Sequence, residues 1–189
     1  MLEELLKYDT DLFLFLNNLG SESWDGFWLF VTHKLSSIPL YLVLLYFLWK
    51  HFQWKTTLLI LVCVAIMITA TDQLANLFKY ILFERPRPCR VEPLQDQMRM
   101  VADGCGRFGY FSAHAASSMA VAVFVGLLLR KYYTYLPFAL LFWAVIIAYS
   151  RIYVGVHYPL DIITGMFFGG MIGWLFYKVW KKVAEFQRS

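Results

Sequence analysis

His157 and Asp161 form the most chemically suggestive pair in this 189-residue sequence. They flank Pro159, which suits the first turn of a helix because the N–H that proline lacks has no partner there. The two side chains are therefore expected about one turn apart at a helix start. A carboxylate in that position can accept a hydrogen bond from one imidazole nitrogen and leave the other nitrogen free to act as a nucleophile.

Arg151 comes shortly before this pair and is predicted to end the preceding helix. Its planar guanidinium can hold two phosphate oxygens at once. Taken singly, an interfacial histidine or an arginine that reaches toward the membrane surface has an ordinary structural explanation. The combination of Arg151, His157 and Asp161 in one short stretch instead indicates attack on a phosphate group.

A second histidine, His114, follows Ser112 at the start of another apolar segment. The first N–H groups of a helix have no partner inside it, so this position favours an anion, and the Ser112 hydroxyl adds a donor. A histidine there could protonate a leaving oxygen. Ser112 acting only as a helix cap is the alternative interpretation.

Cationic residues follow the long apolar segment that begins near residue 55. Asp72, Asn76 and Lys79 share one face of the predicted helix. This face is expected to look inward, because ionisable groups are costly at membrane depth, although Asp72 and Asn76 could merely join helices. Arg85 and Arg87 come next, each before a proline that favours extended backbone. Three clusters distant in sequence would then meet on one membrane face, as phosphoryl transfer requires, because its transition state spreads charge over three oxygens.

The elements that position these residues are expected to be membrane helices. The sequence is 60% apolar and only 16% charged, whereas soluble domains carry about 25% charged residues. Because a spanning helix needs about 20 apolar residues, we predict a single all-α domain over residues 1–189 with about five transmembrane helices. Residues 2–19 are predicted to form an amphipathic helix at the interface. The predicted spans lie within residues 24–49, 55–83, 112–129, 132–149 and 159–180.

Charge predicts the orientation and excludes one class of partner. The net charge of +4 is not gathered on a basic face, so nucleic acid is not an expected partner. The positive-inside rule places the basic short loops in the cytoplasm and the loop 84–110 on the outer face. The residues on which this prediction depends are Lys50, Lys55, Arg130, Lys131, Lys178, Lys181, Lys182 and Arg188.

Two of the three cysteines, Cys89 and Cys105, lie in that outer loop, whereas Cys63 lies in an apolar span. An outer compartment permits a disulfide, which would stabilise the protein by roughly 3 kcal/mol on the chain-entropy model. Two free thiols are the alternative. No cluster of Asp, Glu and His has metal-ligand spacing, so neither a metal nor another cofactor is expected.

The clusters resemble the signature of the type 2 phosphatidic acid phosphatase and haloperoxidase superfamily. Its last motif, Ser-Arg, five residues, His, three residues, Asp, matches at Ser150, Arg151, His157 and Asp161. The middle motif, Pro-Ser-Gly-His, has lost its Pro and Gly here, as the sequence reads Phe-Ser-Ala-His over residues 111–114. The Ser and His that carry its chemical groups are retained.

The first motif departs from the family in its spacing. The family has a Lys followed after six residues by Arg-Pro, whereas Lys79 is separated by five residues from Arg85 and by seven from Arg87. Arg87 is the expected motif arginine, since the family often carries Arg-x-Arg-Pro, and Arg85 is the fallback. The long flexible stem of Lys79 is expected to reach the phosphate.

The resemblance implies a membrane lipid phosphatase. His157 would attack phosphorus to form a phosphohistidine, Asp161 would orient His157, and His114 would protonate the leaving group. The residues implied to bind phosphoryl oxygens are Lys79, Arg87, Ser112 and Arg151, with Arg85 in reserve. The implied location is a bacterial inner membrane, with the active site facing the periplasm or the exterior.

The resemblance also suggests a substrate. Undecaprenyl pyrophosphate is the leading expectation, and phosphatidylglycerophosphate, phosphatidic acid and lipid A phosphates are the rivals. The expected partners are the lipid phosphate and the membrane lipids, and the sequence does not define an oligomeric state. The soluble haloperoxidase branch fits poorly with five apolar spans. A lipid transporter that retains the motif without activity is the alternative of another class.

Overall fold

The computed structural model describes residues 1–186, so Arg188, used above for the orientation, lies outside the described residues. The described chain is helical and contains no named β-strand. Short 3₁₀ turns occur at Lys34–Ser37 and Pro88–Arg90, and a π-helical turn occupies Phe78–Leu82. The α-helices are α1 (Leu2–Asn18), α2 (Glu22–Thr32), α3 (Ile38–His51), α4 (Trp54–Leu77), α5 (Glu92–Gln95), α6 (Ala113–Leu129), α7 (Leu136–Tyr153) and α8 (Pro159–Phe186).

Several of these helices can cross a membrane by length and composition. Three segments qualify alone: Trp54–Leu82, Leu136–Tyr153 and Pro159–Glu185. The pair α2 and α3 would qualify together but is bent by 68° at its break. The apolar helix α6 has 17 residues, slightly fewer than a typical span. The predicted membrane bundle is therefore present, whereas the count of five spans stays a prediction.

Helix α6 lies at the centre of the bundle and packs against α8, α7 and α4. Small residues allow the closest of these approaches. A Cβ atom added at Gly165 would stand 2.6 Å from the Ser112 carbonyl oxygen, and one added at Gly173 would stand 2.5 Å from that of Ala120. Glycines that let two helix backbones approach are typical of membrane helix pairs. They bring the start of α8, with His157 and Asp161, against the start of α6.

The predicted amphipathic N-terminus forms α1, which packs against α7 and α8. Asn17 fixes its end, because its buried side chain donates to the carbonyl groups of Arg99, Ile152 and Tyr153. The Arg99 N–H donates in turn to Asn17 Oδ1 over 2.7 Å. The N-terminal helix is therefore tied to the same end of the bundle as His157.

The helix α7 begins and ends four residues later than the predicted span 132–149. Residues 132–135 form a turn, and Pro137 lies in the first turn of the helix, where proline is favoured. Arg151 lies within the last turn of α7, so a rigid helix positions its side chain.

Candidate active site

A cavity of about 420 Å³ lies among the helix ends that carry the predicted site residues. The side chains of Lys79, Arg87, His114, Arg151 and His157 all line it. Other residues complete its wall: Val31, Thr32, His33, Lys34, Ser37, Tyr41, Ile68, Asp72, Ala113, Ser117, Ser118, Trp143 and Ile147. The structure thus brings together residues from all three sequence clusters.

His157 and Asp161 form a buried pair at the start of α8. His157 Nδ1 lies 3.1 Å from Asp161 Oδ2, and the Tyr158 N–H donates to the same oxygen over 3.0 Å. Pro159 begins the helix, which places Asp161 in its first turn, one turn from His157. With Nδ1 held by the carboxylate, Nε2 is the ring nitrogen left to react.

The environment favours the neutral, nucleophilic form of His157. Burial, together with the nearby cations Arg87, Arg151 and Lys79, holds the pKa of His157 well below its usual range, against an opposing hydrogen bond with the Gly109 backbone. A positive charge on the ring would be poorly solvated and repelled. The imidazole is therefore unprotonated at neutral pH.

Arg87 is held beside this pair by the loop backbone. Its Nε donates to the Phe108 carbonyl over 3.0 Å, and its own N–H donates to the Arg107 carbonyl. An antiparallel bridge between Pro86 and Phe108 joins the same two stretches. The extended backbone expected around the prolines is therefore what pairs with residues 107–109 and positions the guanidinium.

A disulfide between Cys89 and Cys105 closes this loop near Arg87. The Cα atoms of the two cysteines are 6.4 Å apart, and Cys63 is a free thiol. The structure therefore contains the bridge that the sequence left open.

Arg151 reaches the cavity from α7. Its Nη1 donates to the hydroxyl of Thr32 at the end of α2. Its Nε is buried and has no hydrogen-bond partner. Because an unpaired buried donor is costly, a ligand that accepts this hydrogen bond would be favoured.

The π-turn after α4 accounts for the unusual spacing of the first motif. A π-turn accommodates one extra residue within a helix, and this one occupies Phe78–Leu82, where the Phe83 N–H donates to the Phe78 carbonyl. The extra residue lies between Lys79 and Arg87, the two residues that the family spaces one residue closer. Both side chains consequently line the same cavity.

Only part of the polar face predicted before the π-turn looks inward. Lys79 is buried; Asp72 and Asn76 are both exposed, but Asp72 lines the cavity and Asn76 does not. The buried stripe of α4 instead follows Met67, Thr71 and Ala75. Lys79 continues this stripe because it lies one helical turn beyond Ala75.

Ser112 and His114 have different surroundings at the start of α6. His114 lines the cavity, but Ser112 is fully buried and does not. The Ser112 hydroxyl accepts from the Ala115 N–H, and its own N–H donates to the Asp161 carbonyl over 3.0 Å. Ser112 is therefore a helix cap here. The first-turn positions Ala113 and His114 line the cavity instead, at a helix start where backbone donors favour an anion.

Arg85 does not line the cavity, in contrast to its predicted reserve role in phosphate binding. It lies on the far side of Asp161, with Nη1 3.4 Å from Asp161 Oδ1 and Nη2 2.7 Å from Asp9 Oδ2. The carboxylates of Asp9 and Asp161 hold the Arg85 guanidinium away from the cavity, whereas the Phe108 carbonyl holds the Arg87 guanidinium on the cavity side. Of the two arginines in this loop motif, only Arg87 lines the cavity.

Four further residues near the site belong to none of the motifs: Asp9, Thr32, Lys34 and Gly109. Asp9 is separated from Asp161 by most of the chain, and Thr32 and Lys34 lie at a bend between two helices. No local motif indicates such contacts. A buried acidic residue on the apolar side of an amphipathic helix was the one available signal, since Asp9 shares a face with Phe13.

The arrangement suits transfer of a phosphoryl group. A neutral imidazole backed by a carboxylate faces a cavity with four cationic side chains, Lys34, Lys79, Arg87 and Arg151, and a second histidine lies at its wall. Such cations can stabilise the oxygens of a phosphoryl group, while the second histidine can transfer a proton. Among the described residues, no group of Asp, Glu, His and Cys side chains has the geometry of a metal site.

Comparison with known families gives one match over most of the chain. Residues 56–185 match the model described as the PAP2 superfamily. The chain is 40% identical over 185 residues to a lipid A 4′-phosphatase from Bacteroides thetaiotaomicron, covering 97% of this chain and 81% of that protein. It is 31% identical to a lipid A 4′-phosphatase from Porphyromonas gingivalis, covering 95% of this chain and 75% of the relative.

A third relative matches only locally. An undecaprenyl-diphosphatase from Sulfolobus acidocaldarius is 56% identical over 32 residues, which is 17% of this chain and 16% of that protein.

Two solved structures share the fold. LpxE from Aquifex aeolicus superposes with a TM-score of 0.65 at 24% identity, covering 89% of this chain and 94% of that structure. A transmembrane PAP2-type phosphatidylglycerolphosphate phosphatase from Bacillus subtilis gives a TM-score of 0.74 at 17% identity, covering 95% of this chain and 88% of that structure. The predicted all-helical membrane bundle is confirmed as a fold.

Proposed function

The chain belongs to the PAP2 superfamily and is a membrane lipid phosphatase, and from this premise we propose that it removes the 4′-phosphate of lipid A through a phosphohistidine on His157. The observation that carries the mechanism is the cavity in which His157, backed by Asp161, faces Lys79, Arg87 and Arg151. The observation that carries the substrate is the extent of the match to two lipid A 4′-phosphatases.

In the proposed first step, His157 Nε2 attacks phosphorus and a P–N bond forms. The bond from phosphorus to the sugar oxygen breaks, and His114, which binds a proton once the anionic phosphate offsets the cations around it, donates that proton to the leaving oxygen. Lys79, Arg87 and Arg151 hold the three phosphoryl oxygens, on which negative charge accumulates. The Nδ1–H group of His157 donates to Asp161, which stabilises the ring as it becomes positively charged.

In the second step, water attacks the phosphorus of phosphohistidine. His114, now neutral, accepts a proton from that water, and the P–N bond breaks to release inorganic phosphate and neutral His157. The backbone donors at the start of α6 support the same oxygens throughout. Ser112 contributes through the cap that fixes this helix start, and Arg85 through its ion pair with Asp161.

The proposed substrate replaces undecaprenyl pyrophosphate, the leading expectation from the sequence. Two relatives named for lipid A cover nearly the whole of this chain, whereas the relative named for undecaprenyl diphosphate matches only a short stretch. A shared short stretch supports shared chemistry around the phosphate. A match along the whole chain also covers the residues that contact the rest of the lipid.

A substrate panel tests this proposal. The purified protein in detergent micelles would be given lipid A phosphorylated only at 4′, lipid A phosphorylated only at 1, undecaprenyl pyrophosphate, phosphatidylglycerophosphate and phosphatidic acid. We expect the highest kcat/KM for the 4′-phosphate. A higher kcat/KM for any other lipid in the panel would contradict the proposed substrate.

A matched pair of histidine variants tests the nucleophile in the same assay. His157→Gln should lower kcat by more than about 10³-fold, as loss of a nucleophile does in other covalent enzymes. His51→Gln is the control, because His51 stacks on Tyr132 outside the cavity. Trapping of ³²P on the wild-type protein after rapid acid-free quenching, and its loss in His157→Gln, would identify the intermediate.

We also propose that the cavity opens toward the periplasm of a bacterial inner membrane. The basic residues of the loops at the opposite end of the bundle support this orientation through the positive-inside rule. The disulfide near the cavity supports it as well, since disulfides persist in oxidising compartments.

A further inference from the structure

A network of three charged side chains, two of them buried carboxylates and the third a partly exposed arginine, lies behind His157, outside the cavity. Arg85 is its centre: Nη2 is 2.7 Å from Asp9 Oδ2 on α1, and Nη1 is 3.4 Å from Asp161 Oδ1 on α8. Asp161 uses its other oxygen for His157. The two oxygens of Asp161 therefore have separate partners, one facing the nucleophile and one facing Arg85.

Asp9 contacts the start of α8 a second time. Its Oδ1 accepts from the Leu160 N–H over 2.8 Å. The N–H groups in the first turn of a helix have no partner within the helix, so this hydrogen bond caps α8 from another helix. Asp9 thereby holds both the backbone next to Asp161 and the arginine that is paired with Asp161.

Aromatic contacts fix the same arrangement. The Arg85 guanidinium carbon lies 3.8 Å from the centre of the Tyr158 ring, and Phe13 on α1 packs edge-on against that ring at 5.4 Å. Tyr158 immediately follows His157. The network and the nucleophile are consequently joined through adjacent residues of one short segment.

Burial makes these contacts energetically important. Asp9 is 4% exposed and Asp161 is 0% exposed. A buried charge that loses its partner is strongly destabilising. Arg85 also lies between two carboxylates, so the three groups together carry one negative charge next to His157, which becomes positively charged during the reaction.

We propose that Asp9 and Arg85 are positioning residues that hold Asp161 in register with His157, so that helix α1 supports the nucleophile from behind. This inference rests on the proposed role of His157. Neither residue lines the cavity, so neither contacts the substrate phosphate. Their removal should change the rate of phosphoryl transfer and leave substrate binding by Lys79, Arg87 and Arg151 intact.

Asp9→Asn tests the proposal, since it keeps the shape of the side chain and removes its charge. We expect kcat to fall about tenfold with KM within twofold of wild type. A loss confined to kcat indicates an interaction made in the transition state. The loss should stay well below the about 10⁴-fold that follows when the amide replaces a carboxylate bonded directly to a catalytic histidine. Asp9→Glu should recover part of the rate.

Two controls on the same helix separate positioning from simple attachment of α1. Asp11→Asn changes an exposed carboxylate and should leave kcat unchanged. Asn17→Ala removes the buried hydrogen bonds at the other end of α1 without contacting Arg85. We expect Asn17→Ala to lower the melting temperature at least as much as Asp9→Asn while retaining a higher kcat.

The outcomes distinguish this inference from the proposed function. A wild-type kcat in Asp9→Asn, or an equal loss of kcat in Asn17→Ala at an equal melting temperature, would overturn the positioning role. If His157→Gln retained full activity in the same assay, the proposed nucleophile itself would be wrong. Rapid-quench formation of phosphohistidine should slow in Asp9→Asn in proportion to kcat.

Discussion

At the scale of single residues, Gly109 separates Arg87 from the catalytic pair. A Cβ atom added there would stand 3.1 Å from Arg87 Cγ, 3.1 Å from Asp161 Oδ2 and 3.6 Å from His157 Nδ1. Contacts this close force neighbouring groups to move. A displacement of about 1 Å at the reacting groups can cost about 10²-fold in rate, and the 3.1 Å contacts require a shift of a few tenths of an ångström, so Gly109→Ala should lower kcat/KM by roughly fivefold.

Gly104 in the same loop provides the matched control, because a Cβ atom added there would meet nothing within 4 Å. Gly104→Ala should retain kcat/KM within about twofold, the change expected of a substitution without new contacts. Both variants would be assayed for phosphate release and for melting temperature. Equal activities of the two variants would show that the spacing around Gly109 does not limit the reaction.

The protonation of His157 is a second prediction at this scale. Its pKa is lowered by burial and by the cations around it, so the ring stays neutral as the pH falls through 6.5. The unfolded chain binds a proton on this histidine below about pH 6.5, and the folded chain does not. The free energy of unfolding therefore decreases progressively as the pH falls below about 6.5.

Histidine-selective ¹³C NMR in micelles can measure this pKa directly. The His157 ring resonance, assigned as the one missing from His157→Gln, should titrate with a midpoint below 6.5 or keep its neutral shift to the lowest pH at which the protein stays folded. A midpoint at or above 6.5 would contradict the electrostatic description of the cavity.

The sequence was sufficient to predict five residues that line the cavity, Lys79, Arg87, His114, Arg151 and His157, because their motifs combine several unusual features within short stretches. Arg151, His157 and Asp161 form such a stretch. Ser112 and Arg85 were predicted to bind phosphate but do not line the cavity. Each has two chemically reasonable kinds of partner, and only packing decides between them. The position of Asp9 on the apolar side of α1 was visible in the sequence, but its contacts were not, because they depend on how α1 docks against α8.

At the scale of elements, the π-turn explains how a motif with an extra residue keeps its geometry. A π-turn holds one residue more than the α-helical turn that it replaces, and Ile81 within it is 71% exposed. Deleting Ile81 would restore the spacing of six residues between lysine and Arg-Pro that the family pattern shows. We expect this deletion to retain kcat/KM within about tenfold, because Lys79 and Arg87 keep their register.

A deletion elsewhere in the same helix provides the comparison. Ile66 is also exposed, but it precedes the buried residues Met67, Thr71 and Ala75. Its deletion would rotate these residues by about 100° relative to the preceding turns, so we expect loss of folded protein. If deletion of Ile81 were as damaging as deletion of Ile66, judged by folded yield and phosphate release, the extra residue would have another role.

The element boundaries also show what local sequence could determine. Pro159 predicted the start of α8 correctly, because proline has few other favourable positions next to a long apolar segment. The boundaries of α7 were displaced by one turn, since the prediction followed the apolar run from Tyr132 to Tyr149 and did not use Pro137, which marks the start of α7 as Pro159 marks that of α8.

At the scale of the whole molecule, composition predicted a membrane bundle, but it could not determine how many helices cross the bilayer. Helix α6 is apolar and central yet short, and α2 and α3 are bent at residues 33–37. A bend at this position brings Thr32 and Lys34 to the cavity wall. The bend that interrupts α2 and α3 therefore lies at the site. Irregular backbone at membrane depth is expected where it lines a water-filled cavity.

The orientation of the whole bundle can be tested by single cysteines in a Cys63→Ser background. Ser21→Cys lies between α1 and α2, at the end of the bundle that carries the cavity, where the Ser21 backbone bonds to Tyr153. Tyr135→Cys lies in the turn before α7, at the other end, and Tyr135 is 83% exposed. A membrane-impermeant maleimide should label Ser21→Cys in sealed spheroplasts and label Tyr135→Cys only after lysis. Because lipid phosphates of the outer leaflet are accessible only from that side, the reverse labelling would move the proposed reaction to the cytoplasmic leaflet.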